Sequence, residues 1–245
     1  MRTAIIVCDP AGIKSRAEML VGLGDVYCVT TTDRPHAHTH AVTIPNDWLP
    51  NDSRTLRERC WHKADTLALA AIQQLQIVAD FYWVIESDVA APRSRWEALM
   101  ESTAADETDG IFAKMTTRDG KFAHFVKRFN HTTCPKWVTH SHLNPLYRLS
   151  RFAVEECARS AVEMRDCFCE QTVASVIVRA GGTVRNLHEF GEHFTNTSLM
   201  GKVGFWTMQP GLLNHPVKDD IEIPDFTATD SNSLLPKHAK LAITT

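Results

Sequence analysis

Phe81, Tyr82, Trp83, Val84 and Ile85 form an unbroken run of aromatic and β-branched residues. The run is too short for an ordinary helix and lacks the in–out alternation of a half-exposed strand, so it suits a strand buried on both faces. Such a strand needs helices above and below it, which makes an α/β domain the expected class. The run ends abruptly at Glu86, Ser87 and Asp88, ahead of Val89, Ala90, Ala91 and Pro92. Two carboxylates one residue apart therefore emerge where a central strand leaves the sheet, the edge at which open α/β sheets bind ligands.

Acids at i and i+2 on a strand share a face, and a bend can bring them together around one hard divalent cation. The plainer reading is that Glu86 and Asp88 cap the next segment, where Pro92 is suited to open a helix.

The flanking sequence supplies the other layers. Thr3–Cys8 (TAIIVC) reads as a first strand broken by Asp9–Gly12, a helix follows from about Ile13 to Leu23, and Asp25–Thr30 (DVYCVT) reads as a second strand. This is a βαβ opening. Ala41–Ile44 suggests a short third strand. From Leu56 to about Val78, apolar residues recur at helical intervals, among them Leu67, Ala70, Ala71, Leu75 and Val78.

Beyond the acidic turn, Arg93–Thr103 predicts a helix, Gly110–Met115 a strand, Gly120 a turn, and Phe122–Arg128 a further strand. Pro145–Leu149 follows as a strand, and Ser150 caps a helix from Arg151 to about Val162. Asp166–Gln171 leads into a helix with its acids in the first turn, ending at Gly181 and Gly182, before a strand over Thr183–Leu187. The stretch from Gly191 to Gly204 reads as a long loop, and the tail from Asp219 onward is polar with little periodicity. The middle of the chain breaks the simple alternation and implies antiparallel strands beside a nucleotide-binding half. The expected fold is a mixed, mostly parallel Rossmann-like sheet flanked by helices.

The 245 residues are 44% hydrophobic and 22% charged, and their formal charge of −3 gives no electrostatic case for nucleic-acid or acidic-membrane binding. No apolar run approaches the roughly 20 residues of a membrane-spanning helix, and Met1–Cys8 reads as a strand and not as a secretory leader. The seven cysteines are odd in number and form no CxxC pair. They are expected as reduced thiols in a cytoplasmic protein, with Cys167 and Cys169 as packing residues.

Further candidates lie at the same end of the predicted strands. Cys8 and Asp9 end the first, and Thr30, Thr32 and Asp33 end the second, where hydroxyls and a carboxylate can meet a base or ribose or simply brace a turn. Lys63 stands near the start of the long helix, within reach of a phosphate or of solvent alone. His36, His38 and His40 alternate but lack an accompanying acid or cysteine, which favours a loop over a metal site. Trp137, His140 and His142 can face an acceptor or pack a core.

Together these pieces resemble the GT-A class of nucleotide-sugar glycosyltransferases. The resemblance rests on TAIIVC…DVYCVT, on CWHKADTLALAAIQQL running into FYWVIESDV, on DCFCEQTVASVIV, and on the late NHPVK. It spans residues 1–218, with about 1–115 as nucleotide-binding half, about 116–218 as acceptor half and 219–245 as a tail. In that class a DxD-type motif holds a divalent ion and the sugar nucleotide, and ESD matches it with Glu86 in the place of the first Asp.

The resemblance implies metal contact by Asp88 with Glu86 nearby, donor contact by Ser87, and completion of the metal shell by His215. It implies a general base in Glu170 or Asp166, a cofactor set of Mn2+ or Mg2+ with a UDP-sugar favoured, and a hydroxyl acceptor that is glycan, protein, lipid carrier or modified nucleic-acid base. Two other readings share the fold. A nucleotidyltransferase would want a basic, glycine-rich loop after the first strand, where DPAGIKSR offers only Gly12, Lys14 and Arg16. A non-catalytic nucleotide- or glycan-binding module would bind without turnover.

Overall fold

The computed structural model describes residues 1–8, 20–31, 39–50, 64–117, 135–191, 194–196 and 213–215. A seven-stranded sheet organises them. Its strands are β1 (Thr3–Cys8), β2 (Asp25–Thr30), β3 (Thr39–Ala41), β4 (Phe81–Glu86), β5 (Gly110–Thr117), β6 (His140–Ser150) and β7 (Val184–Asn186). Their order across the sheet is β3-β2-β1-β4-β6-β5-β7. Every neighbouring pair is parallel except the two made by β6, which runs against β4 and β5. The expected class, a mixed and mostly parallel sheet flanked by helices, is the observed one.

Among the described residues, five helices cover the sheet: α1 (Ala64–Gln74), α2 (Arg93–Thr103), α3 (Arg151–Arg159), α4 (Ala161–Met164) and α5 (Cys169–Arg179). The alternation of the strands divides the core in two. Ala4, Ile6, Cys8, Tyr82, Val84, Phe112, Tyr147 and Leu149 pack with α1, α3, α4 and α5. Ile5, Val7, Trp83, Ile85, Ile111, Ala113 and Leu146 turn the other way and pack with Trp96 and Leu99 of α2. The run at Phe81–Ile85 is thus buried on both faces, as its composition requires.

Several boundaries differ from the sequence reading, each for a local reason. Helix α1 ends at Gln74 and not near Val78, because the chain turns out through Gln76 in a left-handed conformation (φ 51°) that no glycine advertises. The helix expected from Arg151 to Val162 is divided at Ser160, whose backbone leaves the helical region. Strand β3 occupies Thr39–Ala41 instead of Ala41–Ile44, although Val42 still donates to the Thr30 carbonyl at 2.8 Å.

Strand β6 starts at His140, five residues before Pro145. The proline, which suggests a strand start, sits inside a register shift between the Phe112–Tyr147 and Ala113–Leu143 pairs, a place where a missing N–H is tolerated. The last expected strand is shortened to β7, and the expected loop after Gly191 contains β8 (Phe194–Asn196), paired in parallel with β9 (Leu213–His215). The helix expected from Ile13, the strand at Phe122–Arg128 and the tail lie outside the described residues, apart from the turn at Leu20–Leu23 that ends the first of these. No helix among the described residues is long and apolar enough to cross a membrane. Cys8, Cys157, Cys167 and Cys169 are buried thiols.

Candidate functional site

The chain leaves β1 towards β2 and β3 on one side and later returns to β4 on the other, so the direction of the strand order reverses between β1 and β4. A crevice opens at such a switch point, outside the carboxyl ends of the two strands. Here the ends coincide in register: Cys8 pairs with Glu86 on one side and with Val29 on the other. The ladder runs one step further, since the Ser87 N–H donates to the Cys8 carbonyl at 3.0 Å. The Val89 N–H then donates to the Glu86 carbonyl at 3.0 Å and closes a four-residue turn.

That turn carries both carboxylates of the acidic triplet. Glu86 and Asp88 are half-buried and Ser87 is buried, so the acids stand at the rim of the crevice and not in free solvent. Thr30 ends β2 at the same edge and is buried.

Two helices present their N-terminal ends to this edge, because α1 leads into β4 and α5 leads into β7, both running parallel to β1. Their first turns are joined. Asp65 of α1 is buried, and the Thr172 hydroxyl of α5 lies 3.2 Å from its Oδ2 and 3.0 Å from the Cys169 carbonyl. A carboxylate in the first turn of a helix is favoured by the helix dipole. Burial, reinforced by the charge of Asp65 and then by Cys8, pushes the neighbouring Tyr147 hydroxyl well above its ordinary pKa and keeps it protonated. The link between α1 and α5 places Glu170, in the first turn of α5 and half-buried, at the same edge as Glu86 and Asp88.

Asp166 precedes α5 by three residues instead of standing in its first turn, is 68% exposed, and faces Arg165 at 3.2 Å. His215 lies in β9 opposite Asn196, two residues from Leu213, which shares an apolar cluster with Val89 and Ile85. Strand β9 therefore docks on the α2 side of the sheet. Asp9, Thr32, Asp33 and Lys63 lie outside the described residues, as do His36 and His38, whereas His40 lies in β3 with its ring 6.2 Å from Tyr27.

The other side of the edge is built by β5 and β6. Ile85 of β4 pairs with Leu146, so His140–Asn144 extend past the end of β4, paired with Ala113–Thr117 as a two-stranded ribbon. Ser175 of α5 fixes the start of this ribbon: its hydroxyl accepts the Thr139 and His140 N–H groups at 3.0 and 2.9 Å and lies 3.0 and 2.9 Å from the His140 and Gln171 carbonyls. His142 is buried against Phe112, with ring centroids 4.4 Å apart, so it packs a core and does not face an acceptor. His140 is half-buried, contacts the Thr139 hydroxyl at 2.9 Å, and burial pulls its pKa below the ordinary value. Trp137 is stacked under Arg179 at 4.7 Å.

The donor set at the switch point is two carboxylates on one tight turn, a chemistry that suits a hard divalent cation with positions left open. Among the described residues, no group of three or more His, Cys, Asp or Glu is arranged to hold a metal ion. Sequence reasoning passed over Asp65, Thr172 and Ser175. For Asp65 a signal existed, a lone acid heading the apolar run ADTLALAAI.

No family model and no curated protein matches the chain. Solved structures do. A CMP:2-keto-3-deoxy-manno-octonic acid synthetase complexed with CTP is 12% identical, with a TM-score of 0.43 over 76% of this chain and 89% of its own. Glucosyl-3-phosphoglycerate synthase from Mycobacterium tuberculosis, in complex with Mg2+ and UDP, is 16% identical, with a TM-score of 0.35 over 63% of this chain and 58% of its own. A mannosyltransferase from Pyrobaculum calidifontis, in complex with GDP-Man and Mn2+, is 11% identical, with a TM-score of 0.38 over 89% of this chain and 58% of its own. This chain thus spans just over half the length of the last two.

Proposed function

We propose that this protein is a divalent-metal-dependent glycosyltransferase that moves a sugar from a nucleoside-diphosphate donor, UDP-linked by preference, to a hydroxyl acceptor. The observation that carries this reading is the tight turn bearing Glu86 and Asp88 at the β1/β4 switch point, with the N-terminal ends of α1 and α5 directed to the same edge. Helix N-termini favour anions, which suits a diphosphate.

Asp88 and Glu86 would hold Mn2+ or Mg2+, with His215 as a further ligand. When bound, the cation neutralises the charge that develops on the leaving diphosphate. The chain's own groups do the rest. Cys8, Asp9, Ser87, Thr30, Thr32 and Asp33 would bind the nucleotide, and Lys63 would pair with a phosphate. Glu170 takes the proton of the acceptor hydroxyl as that oxygen bonds to the sugar and the sugar–phosphate bond breaks. Asp166, exposed and paired with Arg165, is the weaker choice for this role.

Calorimetry with UDP, GDP and CDP, with and without Mn2+, on the native chain and on Asp88→Ala tests the reading. Binding of one nucleotide that requires Mn2+ and is lost in the variant is the expected result. A folded native chain that binds none of the three would return Glu86 and Asp88 to ordinary turn chemistry. A response to CTP in place of the diphosphates would favour nucleotidyl transfer.

A further inference from the structure

The β5–β6 ribbon contains a backbone outlier. Lys114 adopts φ 48°, in the left-handed region that side-chain-bearing residues enter only at a cost. The register explains its origin. Ile111 and Ala113 face the α2 side and Phe112 faces the α5 side, so strict alternation would bury the next residue, Lys114, under α5. Instead Lys114 and Met115 together oppose His142 between the Ala113–Leu143 and Thr116–Ser141 pairs. Met115 takes the place against the α5-side core, and Lys114 is the extra residue, exposed. A bulge of this kind re-aims one side chain, and bulges gather beside active sites.

The bulge is held in place. Met115 N–H donates to Asn186 Oδ1 at 2.6 Å and Asn186 Nδ2 donates back to the Met115 carbonyl at 3.3 Å. Asn186 is itself fixed by Glu189, whose carboxylate accepts its N–H at 2.7 Å. Glycine would fill the left-handed position without strain. A lysine there keeps an ammonium at the cost of strained backbone, and strain of this sort collects at functional sites.

The position gives that ammonium a use. Phe112 and Val84 both pair with Tyr147, so Lys114 lies level with Glu86 at the end of β4, on the edge that also carries Asp88 and Glu170, and β5 is two strands from β4, about 10 Å across the sheet. That is the scale of a sugar with its acceptor. We infer that Lys114 receives an anionic group, carboxylate or phosphate, on the acceptor. The inference rests on the transferase reading for the identity of the acceptor, but the anion site does not depend on the nucleotide.

The test is titration of inorganic phosphate, and separately of malonate, into the native, Lys114→Gly and Lys114→Arg chains in the absence of metal and nucleotide. Lys114→Gly relieves the backbone while removing the charge, so a folding defect does not confound it. At least about tenfold weaker anion binding in Lys114→Gly, with binding kept in Lys114→Arg, is expected for a charge-assisted contact. Preference for phosphate or malonate assigns the acceptor's anion. Equal binding by native and Lys114→Gly chains, or no binding of either anion by the native chain, overturns the inference. Failure of UDP and Mn2+ to bind the same native protein would remove the transferase reading while leaving this result to stand by itself.

Discussion

At the level of single residues, the proposed chemistry separates binding from proton transfer. Glu170 lies at the site edge but not on the turn at Glu86–Val89. Glu170→Gln should therefore leave nucleotide binding with Mn2+ within a few-fold of native while lowering turnover by about 10² to 10⁴. The check is calorimetry beside a turnover assay; parallel loss of both would remove Glu170 as base.

His140 gives a pH prediction. Burial lowers its pKa in the folded chain, so below the ordinary histidine value of about 6.5 the unfolded chain binds more protons. Its contribution is therefore fully present above that value and is lost as pH falls through the window between the ordinary and the lowered pKa. Melting temperatures from pH 7.5 to 5 should fall more steeply for the native chain than for His140→Gln. The place of Glu86, Ser87 and Asp88 at the end of β4 was legible because an apolar run changing to acids is a one-dimensional signal. The left-handed Lys114 was not, because a strained φ has no residue type that announces it when glycine is absent.

Among the elements, the strands and helices with strong periodicity were readable, and the joints between them were not. Helix α2 matches its expected span, and β4 extends the expected run by the single residue Glu86. By contrast, nothing in the sequence announces the N-terminal half of β6, since THSHLN lacks apolar alternation. Its extended form is imposed from outside, by Ser175 on α5 and by the Thr116–Ser141 hydroxyl pair at 2.8 Å. Ser175→Ala should then leave two part-buried N–H groups without this acceptor and cost about 1–3 kcal/mol. Amide exchange should accelerate at Thr139 and His140 more than in β1 or β4; uniform acceleration would mean that Ser175 supports the whole core and not the ribbon.

Over the whole molecule, the sheet separates the edge that carries the candidate site from a structural one. The switch point, the two helix N-termini and the ribbon share the edge at the carboxyl end of β4. Towards the opposite edge, Arg148 of β6 is only 2% exposed and its guanidinium donates to the carbonyls of Thr103, Asp106 and Thr108 and to the Asp106 carboxylate, at 2.6 to 3.3 Å. It also stacks on Phe81 at 4.1 Å. Burial lowers its pKa to about 10, with Asp106 opposing the shift, so it remains a cation at neutral pH. Arg148→Met removes the cation but leaves the buried carbonyls and the carboxylate, which keeps Arg185 at 2.8 Å and the Thr108 N–H at 3.0 Å. Breaking a buried pair on one side costs about 3–5 kcal/mol. Urea denaturation should show that loss in the midpoint with little change in slope. Because the staple and the site lie at different ends of the sheet, UDP with Mn2+ should still raise the melting temperature of Arg148→Met. A ligand stabilises whatever folded state it binds, by an amount set by its concentration over its Kd and not by the starting stability. A variant that folds but has lost the ligand-induced shift would mean that the two edges are coupled through β4 and β6, and that the site's geometry depends on the far end of its strands.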